Sequence, residues 1–214
     1  VLRLYYGPNA CSLASHIALE ESGLAYERTA ISIFDGEQKS SAYLARVPTG
    51  KVPALEIDGH VLTENVAIQA YVAAAAPSAR LMPDDPLSAA VALSRLAWFS
   101  NSVHISFRHM MRPMVLTAEE TAHAGIAARG KEDFLHNLRR IEAMLEGGPW
   151  LMGDRFTLCD GYAMVFFNWA SFAGLDLSPL PALQRHAARM IERPAVARVL
   201  TIEGSLDRIA EAVR

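Results

Sequence analysis

The sequence predicts a small α/β unit followed by an all-helical unit within 214 residues. Three observations carry that prediction. Strand-like and helix-like runs alternate up to about residue 76. A stretch rich in Pro, Asp and Ser, "PSARLMPDDPLS", then interrupts the pattern. From residue 87 onward only helical periodicity remains. These limits give residues 1–77 as the α/β unit, 78–86 as a linker and 87–214 as the helical unit.

The elements follow in order. Val1 to Tyr6 reads as a strand, with Leu2, Leu4 and Tyr6 on one face. Gly7-Pro8-Asn9 breaks it, and Ala10, Leu13, Ala14, Ile17 and Ala18 recur at helical spacing until Gly23 supplies a stop. A second strand fits 26–33 and a short helix 40–46. "VPALEIDGHVLT" is a hairpin, because Asp58-Gly59 suits the primed turn whose twist matches paired strands. "ENVAIQAYVAAAA" continues as a helix and completes the order βαβαββα. In the second unit one long helix is predicted from 87 to near Pro113. Others fit 118–146, 158–172, 181–192 and 195–202. Thr157, three residues before Asp160, marks a capping-box start.

Composition removes several function classes. A net charge of −3 without a Lys/Arg run argues against nucleic acid or anionic membrane as partner. No apolar run approaches the ~20 residues of a membrane span, and no signal-peptide pattern opens the chain. Two cysteines, Cys11 and Cys159, make no disulfide framework, and Cys11 with His16 makes no metal site. A reducing, cytoplasmic setting is expected.

Three features then carry chemistry. Cys11 sits on the strand-to-helix joint, where a helix N-terminus favours the thiolate, with Asn9 and Ser12 as added donors. The competing reading is a small buried hydrophobe. Position 14 is Ala, so no local thiol resolves a disulfide. Cys159, next to Asp160 and among apolar residues, reads as structural. Val52-Pro53 is an edge-strand entry by its local sequence, which favours a trans bond. Glu64-Asn65 opens a helix, either as a cap or as a site for α-amino and α-carboxylate groups. His104, Arg108 and Arg112 form a basic stripe that faces either a cleft or water.

Taken together these motifs resemble the glutathione transferases, and most nearly the bacterial beta class. "LYYGPNACSLASHIALEESGL" resembles that class's N-terminal signature, "GKVPALEIDG" its cis-Pro segment and "LTENVAIQAYV" its γ-glutamyl site. "FTLCDGYAMV" and "RPAVARVLTIEG" resemble its capping box and C-terminal helix. The resemblance implies a thioredoxin-like N-terminal domain, an all-α C-terminal domain, a homodimer and glutathione as co-substrate without a metal. It implies that Cys11 is catalytic with Ser12 beside it, and that His104 approaches the thiol. It also implies that Val52 and cis-Pro53 hold the cysteinyl backbone, and that Glu64 and Asn65 hold the γ-glutamyl end. Lys39 is the nearest candidate for the class's lysine after the second strand. Asn101 and Ser102, beside His104, are further candidate contacts. Ala97, Ser102 and Ile105 depart from the class pattern and remove polar contacts to glutathione. Tyr5 and Tyr6 lie within the strand and read as packing residues. Met110, Met111, Met114 and Phe107 offer either an apolar cleft or ordinary core.

A cysteine in this place suits thiol–disulfide exchange with glutathione better than fast conjugation of electrophiles. Two rivals stand beside that reading. One is a specialised catabolic enzyme of the same fold, a dehalogenase or an ether-cleaving enzyme. The other is a non-catalytic interaction module.

Overall fold

The computed structural model describes all 214 residues. Strand β1 (Leu2–Tyr6) is followed by α1 (Leu13–Ser22), β2 (Tyr26–Ala30), α2 (Ser41–Leu44), β3 (Ala54–Ile57), β4 (His60–Thr63) and α3 (Asn65–Ala75). The sheet order is β2-β1-β3-β4, with β1 parallel to β2 and antiparallel to β3. The hairpin forms as its sequence predicts: Asp58 and Gly59 both take positive φ, 47° and 88°, and Ile57 faces His60 across the turn. Both faces of β1 are covered. Leu4 and Tyr6 enter the large core. Tyr5 joins Ile31, Tyr43, Val47 and Ala54 in a smaller one. Both tyrosines are buried, as expected of packing residues.

The helical half comprises α4 (Pro86–Trp98), α5 (His104–Met111), α6 (Glu120–Leu145), α7 (Leu158–Phe172), α8 (Pro181–Ile191), α9 (Pro194–Ile202) and α10 (Leu206–Ala212). Two expectations are corrected here. The long helix expected from 87 to near Pro113 runs from Pro86 to Met111, but a π-turn at Phe99–Val103 divides it into α4 and α5. An apolar periodicity that stays in phase on both sides hides the extra residue of such a turn. Arg112 leaves the helix with φ −140° and ψ 56°, since the proline after it excludes the helical conformation. It therefore drops out of the basic stripe. The second correction is α10, which follows the last helix the sequence predicts.

The capping box at α7 forms: Asp160 Oδ2 accepts from the Thr157 backbone N–H at 2.8 Å. Its other oxygen accepts from the Leu151 N–H at 2.8 Å and pairs with His186 Nε2 at 3.0 Å. Gly161 lets α7 close on α1, because a Cβ there would stand 3.1 Å from Ile17 Cγ2. One continuous core of 41 buried residues thus runs from Leu4, Leu13 and Ile17 into Tyr162, Phe166 and Leu183. The β1–α1 loop, with Cys11, lies over this junction.

Candidate active site

The loop from Gly7 to Ser12 is fastened at both ends. Ser12 Oγ donates to the Gly7 carbonyl and accepts from the Gly7 N–H, both at 3.0 Å. Asn9 adopts a left-handed φ of 61°. Its side chain donates to the Glu203 carbonyl at 2.8 Å, and its N–H donates to Glu203 Oε2 at 2.7 Å. Trp169 Nε1 donates to the Asn9 carbonyl at 2.8 Å. Glu203 is itself paired with buried His16 at 2.7 Å. Asn9 and Ser12 were expected to donate toward the thiol. Both are spent on holding the loop, because a turn in this conformation leaves backbone groups that need partners.

Cys11 stands two residues before the first residue of α1. Its Sγ donates to the Val52 carbonyl at 3.6 Å. Burial pushes the thiol up to about 12, opposed by the Cys11 backbone N–H and the Asn65 side chain and reinforced by Glu64. The sequence predicts a lowered thiol from the helix dipole alone. The correction has a plain cause: Cys11 precedes the helix, and removing a thiolate from water outweighs the partial charge of the helix end. Cys159 is fully buried, with Sγ 3.5 Å from the Ala92 carbonyl, which matches its structural reading.

The bond between Val52 and Pro53 is cis, against the local expectation and with the family resemblance. Pro53 is buried and Val52 half-buried. The side chain of exposed Lys39 reaches this segment, its Nζ lying 3.1 Å from where a Cβ on Gly50 would stand. Glu64 is exposed and holds φ 70° with ψ 123°, a conformation that costs a residue with a Cβ about 1–3 kcal/mol and that clusters at ligand sites. It occupies the cap position of α3 without a side-chain cap bond. Asn65 was expected to bind ligand. Its side chain instead accepts from Ser15 Oγ at 2.6 Å and donates to the Cys11 carbonyl at 2.9 Å. That leaves the first-turn N–H groups of α3 as anion donors.

The helical half contributes differently from the sequence reading. His104 is half-buried with its ring edge-on to Trp169 at 5.0 Å, and Trp169 stacks on Phe107 at 4.5 Å. Burial, with Arg108 and Lys51, pushes His104 down to about 4. It is neutral at pH 7 and supplies no positive charge to a thiolate, although the basic stripe suggested one. Asn101 and Ser102 bond to each other at 2.6 Å and line a groove with Asp133, His136 and Asn137 of α6. No bond joins them to the Cys11 loop. Burial, with Cys11, pushes the Tyr162 phenol up, and Ser100, one residue earlier in the π-turn, opposes that rise together with Asn65.

A β-strand, a fastened cysteine loop, a cis-Pro segment and a strained glutamate at a helix start are arranged around one site. Family models for the glutathione S-transferase N-terminal and C-terminal domains match residues 1–74 and 107–194. The glutathione S-transferase GST-4.5 of Xanthomonas campestris is 36% identical over 95% of this chain and 99% of its own. The chain belongs to the glutathione S-transferase family. A glutathione transferase homologue from Sulfitobacter, solved with bound glutathione, superposes with a TM-score of 0.90 at 33% identity. That match covers 96% of this chain and 99% of the other. The bacterial beta-class glutathione S-transferase of Sphingomonas chungbukensis gives 0.83 at 31% identity, covering 94% and 98%. The enzyme is therefore a glutathione transferase in fold and in family. No group of three His, Cys, Asp or Glu side chains is placed to hold a metal ion, and no helix is long and apolar enough to cross a membrane.

Sequence reading missed Ser100, Tyr162, Trp169 and Glu203. Their roles depend on pairings across the chain, Asn9 with Glu203 above all. No local pattern announces a partner 194 positions away.

Proposed function

We propose that the enzyme is a cysteine-type glutathione transferase of the beta class that forms a mixed disulfide with glutathione on Cys11. The observation that carries this is the 3.6 Å contact between Cys11 Sγ and the Val52 carbonyl. An extended cysteinyl residue paired to Val52 brings its own sulfur beside the thiol. Glutathione's γ-glutamyl carboxylate then meets the first-turn N–H groups of α3 and its ammonium meets Glu64, while Lys39 stands near the segment before Val52. The ring cluster of Trp169, Phe107 and His104 supports an aromatic wall for the second substrate.

In the exchange the Cys11 thiolate attacks the glutathionyl sulfur of a glutathione mixed disulfide, R–S–SG, and the substrate thiolate R–S⁻ leaves as the Cys11–glutathione disulfide forms. A glutathione thiolate then attacks the glutathionyl sulfur on Cys11, giving back the Cys11 thiolate and one oxidised glutathione. Conjugation of electrophiles by bound glutathione is the slower activity of the same site. Exposed Leu87, Val91 and Leu93 on α4 support a homodimer, and two free thiols support a reducing compartment such as the cytoplasm.

The test is intact mass and peptide mapping of the reduced protein after exposure to oxidised glutathione. One glutathione on Cys11, absent from Cys11→Ala and removed by reduced glutathione, is the expected result. An unmodified protein, or an adduct confined to Cys159, rejects the reading.

A further inference from the structure

The face of α5 that meets Trp169 carries a cation with no partner. Ile105, Ser106 and His109 line the groove against α6, so the stripe His104, Phe107, Arg108 and Met111 lies on the other side of the helix. The rings fix where that stripe sits. His104 is edge-on to Trp169 at 5.0 Å, and Phe107 stacks on Trp169 at 4.5 Å. Trp169 Nε1 in turn donates to the Asn9 carbonyl at 2.8 Å, two residues before Cys11. Arg108, one turn beyond His104 and next to Phe107, is exposed. Met111, 39% exposed, extends the apolar surface past it.

Charge on this wall is one-sided. Arg46, Arg129, Arg193 and Arg198 each hold a carboxylate, whereas Arg108 forms no ion pair. No Asp or Glu occurs between Asp85 and Glu119, so α4 and α5 present none. The one acid of α7 is Asp160, buried in its first turn, and the loop from Gly7 to Ser12 has none. Arg208 approaches the loop from α10, but its guanidinium is spent on Asn168 and Asn9. Lys51, exposed and also unpaired, adjoins Val52, whose carbonyl meets Cys11 Sγ at 3.6 Å. In a molecule of net charge −3, an acid-free wall with free cations gathers anions from solution.

We propose that the second substrate is an anion, an apolar or aromatic body bearing a carboxylate, with the body on the His104, Phe107 and Trp169 rings and the charge on Arg108. This rests on the glutathione reading above, which leaves Arg108 unassigned. Arg108 rather than Lys51 takes the carboxylate because its planar fork matches two oxygens at once. It also shares a helix face with two of the rings, so one ligand spans both. Lys51 adds to the field without setting the geometry.

The experiment needs no turnover. Calorimetry measures binding to the full chain of glutathione, S-benzylglutathione, and the 3- and 4-carboxy and 3- and 4-carbamoyl derivatives of the benzyl group. The carbamoyl group has the shape of the carboxylate without its charge. In wild type one carboxylate isomer binds tighter than its carbamoyl twin by about fivefold or more, and the gap narrows as salt is raised. In Arg108→Gln most of the gap is lost while glutathione itself binds as before. Arg108→Lys, which keeps the charge without the fork, retains an intermediate gap. No gap in wild type overturns the proposal, as does a gap that survives Arg108→Gln or that Lys51→Gln alone removes. An equal loss of affinity for glutathione and for the carboxylate ligands in Arg108→Gln also overturns it, because Arg108 would then hold the peptide. So does a wild type that binds glutathione but none of the S-benzyl ligands. Failure of wild type to bind glutathione or any derivative overturns the glutathione reading instead.

Discussion

At the scale of single residues, local rules and tertiary context disagree most sharply at Glu64 and His104. Glu64 holds a positive φ that suits glycine, so Glu64→Gly should leave the fold unchanged or stabilise it by about 1 kcal/mol. The same change removes the carboxylate assigned to the glutathione ammonium, and KM for glutathione should rise at least tenfold with little change in melting temperature. Paired thermal melts and steady-state kinetics check this. An unchanged KM would remove Glu64 from the site. His104 makes a pH prediction. Its native value of about 4 lies below the ordinary 6.5, so between those limits the unfolded chain binds a proton that the native protein refuses. Stability from this source is complete above pH 6.5 and is lost as pH falls toward 4. Urea denaturation at several pH values in that window should show a smaller loss on acidification for His104→Gln than for wild type. Parallel curves would mean that His104 titrates alike in the native and unfolded chains.

At the scale of elements, most of the fold was legible in the sequence. Period-2 and period-3.6 patterns are local, and so are Asp58-Gly59, Gly23 and the Thr157–Asp160 cap. The elements they mark stand within a few residues of their expected ends. The π-turn at Phe99–Val103 was not legible, because Phe99 and Val103 are both buried as an unbroken helix would require. The site was legible in its residues and not in its bonds. Cys11, Val52 and Glu64 could be named from spacing, whereas the partners of Asn9, Ser12 and Asn65 are set by long-range packing. Gly130 on α6 belongs to the same class. It reads as a helix-weakening residue, worth about 1 kcal/mol against alanine. In the fold it lets α6 touch the backbone of α5, where a Cβ would lie 2.8 Å from the His109 carbonyl carbon and against the Met110 nitrogen. Backbone cannot move aside as a side-chain end does. Gly130→Ala should therefore destabilise by about 1–3 kcal/mol despite its better helix propensity. It should also lower kcat, because α5 carries His104. A gain in stability on chemical denaturation would show that the two helices can part freely.

At the scale of the whole molecule, a change of grammar near residue 76 suggests two independent units, but the physical connections cross that boundary. Ile17 of α1 meets Gly161 of α7. The reactive loop is bolted through Asn9 to Glu203, Trp169 and Asn168. Half-buried Arg208 of α10 reaches the same Asn9 and Asn168. Arg193 adds a two-pronged pair to Glu21 at 2.7 Å. With one core shared between the halves, neither half buries its apolar face alone, and opening one exposes the other. Unfolding is then a single cooperative transition. The chain carries its own reporters for this. Trp98, Trp150 and Trp169 all lie in the helical half, and Cys11 lies in the other. In guanidinium titrations of Cys159→Ala, tryptophan fluorescence and the fraction of thiol trapped by a brief alkylation pulse should share one midpoint. Two separated midpoints, with Cys11 exposed first, would mean that the loop and sheet open while the helices persist. The bolts through Asn9 would then contribute little, and the cysteine would be open to oxidants in a partly unfolded state.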